Sequence, residues 1–265
     1  MSDTPVETLR LERRADGVAV VTLARPQVHN AFNEVMIAEL TAALARLEND
    51  AAVRAVVLAA DGASFSAGAD LDWMRRMAGY GLPENLADAR ALAELMRTLN
   101  ALTKPTIARV HGAAYGGGVG LVACCDIAVA SETAVFSLSE VRLGLIPAVI
   151  SPYVIAAIGA RAARRWFLTA ERFDAAEAWR SGLIHQVTPP LGLDDAVETL
   201  LARLREGAPG AQSAAKDLIF AVADRPVTDG LIEETAGRIA ALRAGEEGRE
   251  GIKAFLEKRP AVWGG

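Results

Sequence analysis

The sequence predicts an α/β fold that ends in a helical C-terminal region. Two observations lead to this class. Short apolar runs of strand length alternate with segments of helical periodicity up to about residue 188, which is typical of α/β proteins. From Leu193 onward the apolar spacing is helical alone. The adjacent Pro189 and Pro190 predict a boundary between a core of residues 1–190 and a C-terminal region of residues 191–265.

The N-terminal elements are predicted from a turn signal, a capping signal and apolar spacing. An Asp-Gly pair between two β-prone runs predicts an antiparallel hairpin over Thr8–Leu23. Asn30 or Asn33 can cap the next helix, whose apolar residues recur at helical spacing up to Asn49. Val53–Ala60 is a short apolar run bounded by charge, which predicts a buried strand.

The later elements follow from the same two periodicities. Strands are expected at about Ser64–Ser66, Thr106–Val110, Asp126–Ala130, Ala134–Leu138 and Leu183–Val187. Core helices are expected at Asp70–Met77, Pro83–Leu102, Tyr153–Ile158, Ala160–Leu168 and Asp174–Ser181. The C-terminal helices are expected at Leu193–Glu206, Gln212–Ala223, Asp229–Leu242 and Glu246–Glu257.

Three successive glycines, Gly116, Gly117 and Gly118, separate a short apolar strand from a small, apolar helical run. Without a Cβ, a glycine lets a ligand approach the main chain, and a helix start leaves N–H groups unpaired. The corner can therefore hold negative charge. Two alternatives stay open: a plain strand-to-helix corner, or a dinucleotide fingerprint over Gly118–Ala123, with an acid, Glu140, about 20 residues on.

A second small-residue corner follows the strand at Ser64–Ser66. Two such corners on neighbouring strands can direct backbone N–H groups at one point, which is how an oxyanion hole is built. No G-x-S-x-G motif is present, so neither serine is expected to be a nucleophile. Asp70 is interpreted first as an acid at a helix N-terminus. Glu140, a lone acid in an apolar stretch, is either a surface carboxylate or, if buried, a usable acid or base.

Composition argues against several classes of function. The formal net charge of -5 and the pI of about 5.4 oppose binding to nucleic acid, and no run reaches the length of a membrane span. The N-terminus has no apolar leader, and the adjacent Cys124 and Cys125 suit neither disulfides nor zinc, so we expect a cytoplasmic protein. His29, His111 and His185 lack metal-ligand spacing, and we expect no metal.

Five motifs in order, HNAFN, SFSAGADL, KPTIARVHGAAYGGGVGL, CDIAVA and SEVRLGLIP, resemble the crotonase superfamily, the enoyl-CoA hydratase/isomerase group. The resemblance spans nearly the whole chain. It implies a spiral of ββα units with a C-terminal helical trimerisation region, and a homotrimer or a homohexamer made of two trimers. It also implies an acyl-CoA thioester as substrate, with no cofactor beyond the coenzyme A that the substrate carries.

Carried over by position, the resemblance places the oxyanion hole on the backbone N–H groups of Ala69 and Gly117, with Glu140 as the catalytic acid. Residues expected along the CoA and acyl channel are Ala67, Asp70, Leu71, Asp72, Gly116 and Gly120. Arg142 is a candidate partner for a carboxylate on the substrate, because arginine favours such charge-assisted contacts.

The chain departs from the family at Gly120, where the first of two catalytic glutamates of the family's hydratases falls. The run SEVRLGLIPAVISPYVIAAIG is similar to hydratases of branched glutaconyl-CoA esters, such as the methylglutaconyl and isohexenylglutaconyl types. We therefore expect a hydratase of that kind, with the space at Gly120 holding acyl bulk. The alternatives are an enoyl-CoA isomerase that uses Glu140 alone and a catalytically inactive subunit.

Overall fold

The structure, a computed structural model, describes residues 6–263. Residues 1–5 and 264–265 lie outside the described part. The first range belongs to the segment predicted to lack an apolar leader, and the second to the predicted C-terminal region. The strands are β1 Leu9–Arg13, β2 Val18–Leu23, β3 Ala55–Ala60, β4 Ser64–Ser66, β5 Thr106–Val110, β6 Ala113–Tyr115, β7 Ile127–Ser131, β8 Val135–Ser137, β9 Arg172–Asp174 and β10 Gln186–Thr188. The helices are α1 Glu34–Glu48, α2 Leu71–Met77, α3 Leu82–Ala101, α4 Gly117–Cys124, α5 Ser151–Thr169, α6 Ala175–Ser181, α7 Leu193–Arg205, α8 Pro209–Val222, α9 Asp229–Ala244 and α10 Glu246–Leu256.

The strands form two sheets. The larger has the order β1-β2-β3-β5-β7-β10 and the smaller β4-β6-β8-β9. The pairs β3/β4, β5/β6 and β7/β8 each contribute their first strand to the larger sheet and their second to the smaller, before the chain enters helical structure. The predicted α/β class and spiral of ββα units are therefore confirmed. The predicted hairpin is also present, because β1 pairs with β2 antiparallel around Gly17.

Three strands of the smaller sheet run parallel and end at one edge. β4 pairs with β6 through Ser66 and Ala114, and β6 pairs with β8 through Tyr115 and Ser137. Because parallel strands present their carboxyl ends together, the segments that follow these strands lie side by side. Those segments contain Ala69, Gly117 and Glu140.

The core lies on both faces of the larger sheet. On one face α1 buries Met36, Leu40 and Leu44, and α4 buries nearly its whole length. Burial of one such leucine stabilises the fold by roughly 1.5–3 kcal/mol. On the other face α7 packs Leu193, Val197 and Leu201 against the sheet. A 3₁₀ turn at Pro190–Gly192 lies at the predicted boundary between the core and the C-terminal region. The boundary stays a prediction, and α7, which follows it, still packs on the larger sheet.

Several predicted elements shift or divide. The strand expected over Leu183–Val187 is shorter and begins at Gln186, because Leu183 and Ile184 are buried in the core after α6. The two helices predicted over 153–168 form one bent element, α5, whose bend is at Gly159 with φ +72°. β6 and β9 were not predicted as strands, since each has only three residues and three residues carry too little periodicity.

Partly buried polar contacts tie α8 and the chain beyond α7 to the core. Lys216 on α8 donates to Oδ2 of Asp126 at 2.9 Å. The guanidinium of Arg54 donates to the carbonyl oxygens of Arg205, Gly207 and Trp263 at 3.2, 2.7 and 2.8 Å. Within residues 6–263, no helix combines the length and the apolar character needed to cross a bilayer.

Candidate active site

The loop after β4 leaves one backbone N–H without an acceptor. The N–H of Ala67 donates to the His29 carbonyl at 2.9 Å, and that of Asp70 donates to the Phe32 carbonyl at 2.8 Å. The N–H of Gly68 points to the hydroxyl of Ser66 at 3.4 Å. Ala69, which is exposed, makes no such contact with any residue that the structure describes.

The direction of the Ala69 N–H follows from its own peptide plane. That plane includes the carbonyl of Gly68, which accepts from the N–H of Phe32 at 2.7 Å. In a planar trans peptide, the C=O and the N–H point in opposite directions. The Ala69 N–H is therefore turned away from Phe32. Gly68 has φ +89°, a conformation that glycine adopts without strain.

The glycine corner after β6 supplies a second free donor. Gly116 has φ +50°, its N–H donates to the Ser137 carbonyl at 2.9 Å, and its carbonyl accepts from Gly120. Gly117 is then the first residue of α4, where the N–H has no partner within the helix and none elsewhere in residues 6–263. The helix dipole adds partial positive charge at this position.

Glu140 lies beside both loops at the start of a 3₁₀ turn, Glu140–Leu143, that follows β8. Its Oε1 is 3.0 Å from the point where a Cβ on Gly116 would lie, and that point is 4.0 Å from the Cα of Gly68. Its Oε2 is buried and has no hydrogen-bond partner among the described residues. Burial raises the pKa of Glu140 above its ordinary value of 4.5, although its own backbone N–H opposes the rise in part.

The N–H of Ala69, the N–H of Gly117 and the carboxyl group of Glu140 thus lie at the edge where β4, β6 and β8 end. Two unpaired N–H groups can stabilise a developing oxyanion. A half-buried carboxyl group with a raised pKa can accept a proton and return it. The three groups are those that the sequence places together, and their catalytic roles stay predictions.

Gly120 does not border an open space. A Cβ added there would lie 2.3 Å from Cγ2 and 2.9 Å from Cβ of Ile150, and 3.2 Å from Cε of Met96. Ile150 is 3% exposed and Met96 is fully buried. The expectation that the missing side chain leaves room for acyl bulk is therefore wrong, because Ile150 fills that room.

The dinucleotide fingerprint is also wrong. Its first glycine, Gly118, would have to form the tight turn between a strand and a helix. Here the strand ends at Tyr115 and α4 begins at Gly117, so Gly118 and Gly120 lie inside the helix. A Cβ on Gly118 would lie 2.9 Å from the carbonyl oxygen of Ser66, so Gly118 serves close packing of α4 on β4.

Asp70 is the N-cap of α2, which confirms its interpretation as an acid at a helix N-terminus. Its Oδ1 accepts from the N–H groups of Asp72 and Trp73 at 2.8 and 3.3 Å, and its Oδ2 accepts from Arg25 at 2.8 Å. Burial alone would raise the pKa of Asp70, but the hydrogen bonds from Arg25 and from the two N–H groups outweigh it, so the pKa is lowered. The carboxylate of Asp70 is therefore already bound by other groups of the protein. A contact of Asp70 with substrate along the channel stays a prediction, and it would not involve this carboxylate.

The other predicted binding residues lie at the surface near this edge. Leu71 is 69% exposed, and Asp72 is exposed and pairs with Arg75. Ala67 is half-buried. Arg142 is exposed on the 3₁₀ turn and makes no ion pair within the described part of the chain. These positions agree with a surface channel, and their contacts with substrate stay predictions.

The three histidines are held by separate contacts. His29 Nδ1 lies 3.1 Å from the hydroxyl of Ser64, His111 Nε2 lies 2.9 Å from the Gly62 carbonyl, and His185 Nδ1 accepts from the N–H of Ala128. No cluster of three or more His, Cys, Asp or Glu residues within residues 6–263 has the arrangement of a metal site.

Sequence reasoning missed Phe32, Arg25 and Ile150. The main chain of Phe32 pairs with the Ala69 loop, and its ring lies 3.1 Å from the position of a Cβ on Gly117, so it contacts both donor segments. Its position inside HNAFN was the available signal. The contacts of Arg25 and Ile150 join segments 45 and 30 residues apart, and single-sequence periodicity carries no such information.

The chain is similar to known proteins both in sequence and in fold. A family model described as enoyl-CoA hydratase/isomerase matches residues 13–265. A solved enoyl-CoA hydratase of Shewanella pealeana is 46% identical, with a TM-score of 0.95, and the match covers 98% of this chain and 97% of that one. The AtuE structure of Pseudomonas aeruginosa is 39% identical, with a TM-score of 0.93 over 98% of this chain and all of the other. The 2,3-dehydroadipyl-CoA hydratase of Escherichia coli is 34% identical over 93% of this chain and 94% of its own.

Proposed function

Because the chain belongs to the enoyl-CoA hydratase/isomerase family, we propose that it is an enoyl-CoA hydratase that acts on a branched, glutaconyl-type ester. The observation that carries the proposal is that two unpaired N–H groups, those of Ala69 and Gly117, lie at the same sheet edge as the half-buried carboxyl group of Glu140. The hydratase names of the relatives support the reaction class.

In the proposed reaction the thioester carbonyl oxygen lies between the N–H groups of Ala69 and Gly117. Water adds its oxygen to Cβ of the 2-enoyl ester, and the electrons of the double bond move to the carbonyl oxygen to give an enolate. The two donors stabilise this negative charge more than the neutral carbonyl, which lowers the barrier. One such donor contributes about 3 kcal/mol.

Glu140 handles the proton that water must lose. Its carboxylate accepts one proton as the water oxygen bonds to Cβ, and it returns that proton to Cα as the enolate collapses. A single carboxyl group therefore serves as base and then as acid. Its raised pKa suits both roles, because an acid with a pKa nearer to neutral gives up its proton and accepts it again more evenly.

The substrate class rests on the absence of a second acid. Position 120 carries no acid, and the buried side chains of Ile150 and Met96 fill the space beside it, so it adds no negative charge that would repel a carboxylate on the substrate. Arg142, exposed and without an ion pair among the described residues, is available to such a carboxylate. The relative named as a 2,3-dehydroadipyl-CoA hydratase adds support, since its ester also carries a carboxylate.

A second candidate is an isomerase that moves a 3-enoyl double bond to position 2. The single carboxyl group favours it, because this reaction needs one base only. Glu140 would take a proton from Cα and return it to the γ-carbon of the dienolate, with no water added. The oxyanion hole would serve both reactions alike.

We further propose a homotrimer or a homohexamer in the cytoplasm. The C-terminal helices expose large apolar side chains, including Ile219, Phe220, Ile232, Ile252 and Phe255, and burial between copies would remove them from water. Cys124 and Cys125 are free thiols, which supports a reducing compartment.

The test compares kcat/KM for 3-methylglutaconyl-CoA and crotonyl-CoA, with hydration and double-bond migration followed separately. We expect hydration of both esters and preference for the branched one, with Glu140→Gln as the inactive control. Migration of 3-enoyl double bonds with no hydration of any 2-enoyl ester would establish the isomerase instead. Binding of CoA esters without any turnover would indicate an inactive subunit.

A further inference from the structure

The guanidinium of Arg25 contacts both segments whose pairing orients the Ala69 N–H. Its Nη1 donates to the carbonyl oxygen of Ala31 at 2.6 Å, and its Nη2 donates to Oδ2 of Asp70 at 2.8 Å. Ala31 directly precedes Phe32, and Asp70 directly follows Ala69. One planar, rigid group therefore joins the two segments at positions next to the paired residues.

The pairing between those segments is short. Phe32 and Ala69 form an isolated parallel bridge of two backbone hydrogen bonds, at 2.7 and 2.8 Å, and one further backbone hydrogen bond, from Ala67 to the His29 carbonyl at 2.9 Å, joins the same segments. The first of these bonds fixes the plane of the Gly68–Ala69 peptide. A small rotation of that plane would redirect the Ala69 N–H, and misplacement of a catalytic group by about 1 Å can cost about 10²-fold in rate.

Arg25 is itself held firmly. Its side chain is 15% exposed and that of Asp70 is 9% exposed. Its backbone N–H donates to Oδ1 of Asn30 at 2.8 Å, and Asn30 is fully buried. An ion pair in such surroundings is little screened by salt, and removing one partner leaves a buried charge uncompensated.

We infer that Arg25 is a positioning residue for the oxyanion hole: it holds the Gly68–Ala69 peptide at the angle at which the Ala69 N–H meets the thioester oxygen. Arg25 acts through this peptide and through Asp70, not through the reacting atoms. The inference rests on the proposed function to the extent that a thioester carbonyl binds at this N–H.

The experiment compares Arg25→Met and Arg25→Lys with a matched control, Arg10→Met. Arg10 makes a bidentate ion pair with Asp61, at 2.6 and 3.0 Å, but that pair is exposed, and neither of its two side chains hydrogen-bonds to the Ala69 loop. The first readout is the absorption spectrum of bound cinnamoyl-CoA, whose conjugated carbonyl absorbs further to the red when hydrogen bonds polarise it. The second readout is kcat and KM, measured separately for the preferred ester.

We expect Arg25→Met to lose most of the red shift and to lower kcat about 10- to 100-fold, less than complete removal of a donor, which costs about 10²–10³-fold. KM should change by less than about threefold, because most of the ester's contacts remain. Arg25→Lys should be intermediate, since an ammonium group keeps the charge but lacks the planar fork that reaches both acceptors. Arg10→Met should match the wild type in both readouts.

A folded Arg25→Met protein with the full red shift and normal kcat, changed only in thermal stability, would overturn the inference. If Arg25→Met does not fold, the same result for Arg25→Lys overturns it. The spectral readout needs no turnover, so it separates this inference from the proposed function. A wild type that polarises cinnamoyl-CoA but hydrates no ester contradicts the proposed function, while the variants still decide the role of Arg25. A wild type that binds cinnamoyl-CoA without any red shift overturns the inference directly.

Discussion

Gly120 and Ile150 should behave as a matched pair, such that a side chain fits at 120 only when the one at 150 is removed. The perturbation is Gly120→Ala, made in the wild type and in an Ile150→Gly background. In the wild type the new Cβ would lie 2.3 Å from Cγ2 of Ile150, far inside contact distance. In the Ile150→Gly background the close Ile150 side-chain atoms are absent. The remaining neighbour is Cε of Met96, at 3.2 Å, which can move because it is the end of a flexible side chain.

Two opposing effects set the magnitude. Gly120 lies inside α4, where alanine is about 1 kcal/mol more favourable than glycine. Overpacking a dense core costs about 1–3 kcal/mol. In the wild type the sum is a destabilisation of about 0–2 kcal/mol, whereas without Ile150 the alanine should stabilise by about 1 kcal/mol. The coupling energy between the two sites is then about 1–3 kcal/mol, within the range measured for residues in contact.

The assay is reversible urea unfolding of all four proteins at one protomer concentration, because association adds to apparent stability. Ile150→Gly alone will be destabilised by at least about 2–5 kcal/mol, the usual cost of truncating a buried isoleucine, so the coupling is read from the complete cycle. Equal effects of Gly120→Ala in both backgrounds would refute the claim that Ile150 fills the space at Gly120. The activity version uses Gly120→Glu, which should yield a soluble protein with a second carboxyl group only in the Ile150→Gly background.

Two further predictions concern the groups at the edge of the smaller sheet. Ala69→Pro deletes an N–H that no described residue accepts, so the fold should persist while kcat falls about 10²–10³-fold. Ala69→Ser keeps the N–H and should be far milder. Full activity of a correctly folded proline variant would show that Ala69 is not part of the oxyanion hole. Glu140→Gln should abolish turnover and largely keep affinity for CoA esters, and a collapse of affinity with normal kcat would make Glu140 a binding residue instead. Because burial raises the pKa of Glu140, the stability that its neutral form provides is present below the ordinary value of 4.5 and is lost as pH rises through the raised pKa. Thermal unfolding should therefore find Glu140→Gln more stable than the wild type at neutral pH, with a difference that closes on acidification; a constant difference would contradict a raised pKa.

Much of the fold could be predicted because its elements have clear local signals. The hairpin has an Asp-Gly turn, α1 has Asn33 as a cap that accepts from Met36, and α2 has Asp70. The two small-residue corners and the lone acid Glu140 could be predicted from the order of strands along the chain. Ala69 and Gly117 were assigned to those corners by the resemblance to the family.

What could not be predicted depends on contacts between distant segments. Gly120 looks like a vacancy in the sequence, since a missing side chain cannot reveal what fills its place. Ile150 fills it from a segment that folds back from beyond β8. Arg25 looks like an ordinary surface arginine before a proline, and only the fold brings it to Asp70. Fingerprint glycines misled in a similar way, because Gly118 and Gly120 serve helix packing.

The burial of α4 bears on how ionic strength acts on the reaction. Its N-terminal donors are dipoles fixed in a helix whose residues from Gly118 to Val122 are buried. Dissolved ions screen exposed charges beyond about 10 Å at 0.1 M salt, but they screen buried groups much less. Turnover of the bound ester should thus be nearly independent of added salt. Capture of an ester brings its phosphate groups to the exposed surface, where dissolved ions do screen charge, so the rate of this step should respond to added salt. Salt would then act on the encounter between protein and ester and leave the chemistry of the bound ester unchanged.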